Sequence, residues 1–369
     1  MVLDVRLKKL QHEIESQGFD AVLISDVANI SYLTDYSGFS IEEREAFLLI
    51  TPSNQVIFTD ARYSEAVRNL IFSFELIEIS SKNKFPDLLS KLVRKLRIKR
   101  LGIEENDLKI AEYKQIKKAV KKLKDFKFHS HRAIKTPEEI KLIENACKIG
   151  DEAFKNILTK IKAGISEIQL AYLLENFIRK RGFEPSFKTI TAFGANCAIP
   201  HHQTGDTKIK KGNFVLLDFG VRFKNYCSDM TRTLVFGKAS DKQKRMHKTV
   251  LDAQSKAVEF VKTPTPGVGV LGVGVLAKDV DKKARKWIIK KGYPSIPHSL
   301  GHGIGVEVHE HPYLSVNSKD ILKDGMVFSI EPGIYLSNFG GVRIEDLFVI
   351  EKKGIRQLTT SPRELIEIK

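Results

Sequence analysis

Cysteine is scarce in this chain, and no long uninterrupted apolar run is present. The three cysteines, Cys147, Cys197 and Cys227, are odd in number, widely spaced and form no CxxC pair. That excludes a disulfide framework of the secreted kind and points to a reducing compartment. No window approaches the roughly 18 uncharged apolar residues of a membrane span. The opening MVLDVRLKKLQ leads into no apolar stretch of secretory length, so no leader is expected. The expectation is a cytoplasmic protein without membrane contact.

Ordinary globular material is plentiful. The 369 residues are 42% hydrophobic and 29% charged, which suits two domains. The formal charge is +16. Much of the basic excess lies between Lys82 and Lys127, including Lys91, Arg94, Lys95, Lys117, Lys118 and Lys121. A basic stripe can grip nucleic acid. Here no nucleic-acid motif accompanies it and no aromatic residues are interleaved for base stacking, so a solvated face of two surface helices is the simpler reading.

The hydrophobic pattern over residues 1–132 alternates helix and strand. Helices are expected over 4–17, 61–70, Pro86 to about Leu96, and 107–123. Strands are expected at FDAVLIS (19–25), FELIEI (74–79), RLGIEE (100–105) and FKFHS (126–130), with a hairpin joining AFLLI (46–50) to QVIFT (55–59). This is the pattern of an α/β layer domain. Thr136-Pro137-Glu138-Glu139 then reads as a helix start, with a capping hydroxyl, a first-turn proline and acids at the positive end of the dipole. The boundary is placed at 132/133. Helices to about Lys162 and from Ser166 to about Arg181 follow. Strands are expected at KTITAFG (188–194), FVLLDFGVRF (214–223) and TRTLVF (231–236), and helices at 241–262 and from about Leu276 to Lys291. GVGVLGVGVL (267–276) lacks the Lys-Ser/Thr of a phosphate-cradling loop and is read as a loop entering a helix.

Four acids stand out by context. Asp218 (VLLDFG), Glu331 (VFSIEPGIY) and Glu345 (GVRIEDLFVI) sit in or at the ends of apolar strands. Asp229 follows Asp218 after a probable turn at Lys224-Asn225. One such acid is explained by an edge position or an arginine partner. Four together gain nothing from hydrophobic packing, whereas divalent cations would need them. His302 lies between Gly301 and Gly303, which permit close backbone approach. His201 and His202 form a pair, and His309 and His311 follow His302. His129, His131 and His298 are read as ordinary surface or core residues. Four carboxylates and one imidazole suit Mn²⁺ or Co²⁺, with Zn²⁺ and Fe²⁺ as alternatives.

The motifs AIPHH (198–202), LLDFGVRFKNYCSDMTRT (216–233), GHGIGVEVHEHP (301–312), SIEPGIY (329–335) and GVRIED (341–346) resemble those of the pita-bread metallopeptidases: aminopeptidase P, prolidase, methionine aminopeptidase and the metal-free creatinase. Their order and spacing agree, with 17 residues from His201 to Asp218, 11 to Asp229, 29 from His302 to Glu331 and 14 to Glu345. The resemblance spans residues 133–369 and extends more weakly into residues 1–132, which look like the creatinase-type N-terminal domain. It implies an α/β first domain and an α+β pita-bread catalytic domain. It also implies Asp218, Asp229, His302, Glu331 and Glu345 as ligands of two metal ions, with Asp229 and Glu345 bridging. His309 matches the histidine at the scissile carbonyl, His201 a substrate-binding histidine, and Arg343 an arginine that orients an acidic ligand; beyond the resemblance, Glu331 is a candidate proton relay to the leaving nitrogen. The presence of a first domain implies a peptidase for peptides with proline second, usually a homodimer. Dipeptidase members often carry an arginine where this chain has Tyr313. The expectation is therefore an Xaa-Pro aminopeptidase, with an Xaa-Pro dipeptidase as the alternative. A non-catalytic binding protein on the same fold, using its basic first domain, and a creatinase-like C–N hydrolase are the remaining readings.

Overall fold

The computed structural model describes residues 2–262, 274–352 and 354–369. Most of the glycine-rich segment 267–276 lies outside them. The chain divides into two compact units, Met1–Arg132 and Ala133–Lys369.

The first unit is built on a six-stranded mixed sheet. Its order runs Glu75–Ile79, Gln55–Asp60, Ala46–Ile50, Ala21–Ile24, Arg100–Ile103, Lys122–Asp125. The central strands are wholly buried and rich in Val, Ile and Leu, as strands covered on both faces should be. Helices Val2–Ser16, Ala61–Leu70, Phe85–Lys95 and Ile110–Ala119 accompany it. Three elements depart from the sequence reading. The last strand is Lys122–Asp125, not FKFHS. Phe126 and Phe128 are buried core residues whose alternation mimics a strand. A helix at Val27–Thr34 was not anticipated; Asp26 caps it by accepting from Asn29 N at 2.9 Å. The helix expected over 107–123 is confined to Ile110–Ala119.

The second unit is an α+β assembly in two halves. Helices Pro137–Leu158 and Glu167–Lys180 contribute Ile149, Phe154, Ile157, Leu170, Leu174 and Ile178 to one core, against Val215, Leu217, Phe219 and Leu234. Helices Asp241–Lys262 and Ala277–Lys290 contribute Met246, Val250, Ala257, Val280 and Ile288 to a second, against Leu314, Phe328, Ile330 and Phe348. The sheets include a four-stranded one, ordered Glu367–Ile368, Met230–Phe236, Phe214–Phe219, Ile190–Phe193. A five-stranded one is ordered Glu310–Leu314, Gly301–Gly303, Val327–Ile330, Asp346–Glu351, Gly354–Gln357. Thr136 caps its helix in a full capping box, accepting from Glu139 N while Glu139 accepts from Thr136 N. The stretch 214–223 is two strands, broken after Phe219. Among the described residues no helix is long and apolar enough to cross a membrane.

Candidate metal centre

Strand register carries the acids to one place. In Phe214–Phe219, Val215, Leu217 and Phe219 face one core and Phe214 and Leu216 the other. Asp218 shares the face of Phe214 and Leu216, at the strand's end. The chain then makes a hairpin whose turn residues Lys224 and Asn225 both have positive φ, 46° and 69°. That conformation matches the natural twist of paired strands. The returning strand Met230–Phe236 sets Thr231 opposite Asp218, so Asp229 lies diagonally across from it. On the other sheet Ile330 pairs with Asp346, so Glu331 and Glu345 leave the same end of that ladder.

His302 needs its glycines. A Cβ at Gly301 would lie 2.0 Å from Ser329 O, and one at Gly303 would lie 2.2 Å from His311 O. Only a residue without a side chain lets these backbones pass.

Asp218, Asp229, His302, Glu331 and Glu345 all line one cavity of about 330 Å³, together with His201, His298, His309, Tyr313 and Arg343. His302 donates through Nδ1 to Gly303 O at 3.1 Å. Its Nε2 lone pair therefore faces oxygens of Glu331, Asp229 and Glu345 at 3.4, 3.7 and 3.8 Å. Asp229 Oδ1 and Glu345 Oε1 are buried with no hydrogen-bond partner. Lone pairs facing lone pairs out of water are repulsive unless a cation lies between them. The protonation balance reflects this. Burial and then the neighbouring carboxylates push Glu345 up to about 8 and raise Asp229 and Glu331 well above the carboxylate range. Burial, then His309, lowers His302 to about 3. Ligand atoms of Asp229, His302 and Glu345 lie within 4.8 Å of one another, close enough to share a divalent ion. The oxygen-rich set with one neutral imidazole fits such ions.

Supporting side chains hold the acids. Arg343 donates to Asp218 Oδ2 at 2.5 Å, Tyr335 Oη at 3.0 Å, Thr231 Oγ1 at 3.1 Å and Pro200 O at 3.3 Å. Thr231 Oγ1 donates to Glu345 Oε2 at 2.8 Å. The buried Arg232 fixes the Glu345 backbone by donating to its carbonyl at 2.6 Å, and pairs with Asp346 at 2.6 Å. Next to His309 in sequence, Glu310 forms an ion pair with Lys135 at 2.6 Å, both side chains buried.

The histidines separate into roles of position. His309 stands edge-on to His302, ring centres 4.4 Å apart. His201 lines the cavity and is exposed, whereas His202 turns away to Glu167. His298 corrects the sequence reading. It borders the cavity, donates to Ser299 O and accepts from Tyr335 Oη at 2.8 Å, and burial brings it down to about 4. No periodicity in YPSIPHSL marks it. His131 is a core residue, 2.6 Å from Glu13. The side chain of His129 lies outside the described residues. Arg232, Tyr335 and Lys135 were also missed; Arg232, a charge inside an apolar strand, was the one detectable signal.

Comparison with known proteins agrees with this architecture. Residues 141–352 match metallopeptidase family M24, and residues 6–133 match the creatinase/prolidase N-terminal domain. The chain is 36% identical over 372 residues to a Xaa-Pro dipeptidase of Pyrococcus horikoshii, covering 99% of each. It superimposes on the structure of a Xaa-Pro dipeptidase from Bacillus anthracis with a TM-score of 0.88 at 34% identity, covering 99% of each chain. An X-Pro aminopeptidase structure from Thermotoga maritima gives 0.87 at 34%, covering 98% of this chain and 99% of that one. With both domains matched and likeness running from end to end, the chain belongs to metallopeptidase family M24.

Proposed function

We propose that this chain is a Xaa-Pro dipeptidase that works with two divalent ions held by Asp218, Asp229, His302, Glu331 and Glu345. The observation that carries the metal assignment is the His302 Nε2 lone pair set among three carboxylate oxygens, two acids of which keep an unpartnered buried oxygen. Full-length likeness to a relative named Xaa-Pro dipeptidase supports the substrate. It outweighs the single position, Tyr313, on which the aminopeptidase expectation rested.

Two divalent ions held by these five side chains would supply Lewis acidity and lower the pKa of a water between them and the substrate. The chain's own residues do the rest. His309 donates to the carbonyl oxygen of the residue before proline as that oxygen gains charge. Glu331 takes the water's proton and passes it to the prolyl nitrogen as the C–N bond breaks. His201 hydrogen-bonds the substrate, and Phe187, Ile190, Pro200 and Val308 offer the pyrrolidine ring an apolar wall. Arg343 orients Asp218 through its hydrogen bond to Oδ2. The oxygen-rich donors favour Mn²⁺ or Co²⁺. Free buried cysteines suit the cytosol, and a homodimer is the working form taken from the family resemblance.

A second reading, Xaa-Pro aminopeptidase, is favoured by Tyr313 lining the cavity where an arginine would clasp a free carboxylate. Rates on a Xaa-Pro dipeptide and a Xaa-Pro-Xaa tripeptide, with Mn²⁺ and with chelator, separate the two. Chelator-sensitive cleavage of the dipeptide alone is expected. Preference for the tripeptide would replace the proposal with the aminopeptidase.

A further inference from the structure

Glu167 lies in the first turn of the helix Glu167–Lys180 and its side chain is wholly buried. A carboxylate taken out of water is costly unless its lone pairs are met. Here four donors meet them, and all come from one stretch, residues 193–205. Oε1 accepts from Phe193 N at 2.8 Å and Asn196 Nδ2 at 2.8 Å. Oε2 accepts from Gly205 N at 3.2 Å and lies 2.9 Å from His202 Nε2. The helix start adds a backbone clasp, with Ile168 N donating to Gly205 O and Glu167 N to Thr207 O. The carboxylate also sits at the positive end of the helix dipole.

The segment so gripped carries His201. Its two ends are tied to one anion, and His202, the next residue, is tied to the same anion. The middle is held from the other side, where Arg343 donates to Pro200 O at 3.3 Å. With His202 turned to Glu167, the preceding side chain is left lining the cavity. Satisfying the buried carboxylate therefore requires the loop conformation that offers His201 to a substrate.

We infer that Glu167 and His202 are positioning residues that preset the His201 loop, so that substrate binding does not have to order it. This rests on the proposed role of His201 in holding the Xaa-Pro substrate. Ordering a loop at the moment of binding weakens affinity, and a loop already ordered avoids that cost.

The test is a double-mutant cycle on the full-length, Mn²⁺-loaded chain with a Xaa-Pro dipeptide. His202→Ala should raise KM about tenfold, the scale of a lost hydrogen bond to a charged group, with kcat and metal content little changed. His202→Gln, whose amide nitrogen reaches about as far as Nε2, should restore the wild-type KM. In a His201→Ala background, His202→Ala should cost nothing further, because its effect passes through His201. Additive effects, a loss confined to kcat, or failure of glutamine to rescue would overturn the inference. A second readout needs no turnover. In His202→Ala and Glu167→Gln, amide hydrogen exchange should quicken within residues 193–205 and not across the unit; unchanged protection there contradicts the inference. A wild type that cleaves no dipeptide counts against the dipeptidase reading, and the exchange measurement then decides this inference on its own.

Discussion

Burial lowers the His309 imidazole below its ordinary pKa, with the charge of Asp218 opposing the shift. A neutral ring beside the acids can donate to a developing oxyanion without adding a permanent charge to the site. His309→Ala should cut kcat by about 10²–10³-fold, as loss of an oxyanion donor does, while metal content stays intact. Steady-state kinetics with metal analysis on one preparation checks this; parallel loss of both would assign His309 to the metals instead. At this scale the acids stood out as a group, since four carboxylates in apolar contexts gain nothing from packing, although one alone, such as Asp218 beside Arg343, is explained by an ion pair. His298 did not stand out, because its importance comes only from Tyr335 and the cavity wall, both distant in sequence.

Helices and strands were legible where local chemistry decided them. Thr136-Pro137 capped its helix, and 241–262 formed as its spacing indicated. The strand Lys122–Asp125 was hidden because an edge strand beside Arg100–Ile103 is specified by its partner's hydrogen bonds, and its lysines guard the open edge. Between elements, the Lys135–Glu310 pair joins the segment before the helix Pro137–Leu158 to the strand that follows His309. Removing one member strips the other of its buried ion-pair partner. Lys135→Met should cost about 3–5 kcal/mol in denaturant unfolding, and adding Glu310→Gln should recover part of it. A cost below about 1 kcal/mol would mean that the pair is screened like a surface contact.

For the whole molecule, acid sensitivity follows from a buried imidazole outside the ligand cluster. Burial, then the charge of Arg232, brings His247 down to about 4 from 6.5. Between those values the unfolded chain binds the proton and the folded chain does not. Stability is therefore full above about pH 6.5 and lost as pH falls towards 4, by up to about 3 kcal/mol from this group. His247→Gln should flatten the fall between pH 6.5 and 4 relative to the wild type; parallel curves would contradict the assignment. The two-unit architecture was legible from alternating and apolar patterns, but the convergence of five ligand candidates depends on register across two sheets, which no local pattern encodes. These five side chains are proposed to hold two ions. The most direct measurement is Mn²⁺ stoichiometry by calorimetry and elemental analysis on the wild type and Asp229→Asn. Two ions per chain in the wild type and fewer in the variant, with dipeptide hydrolysis falling in step, is the predicted result. A wild type that binds none, or a variant that still binds two, would contradict it.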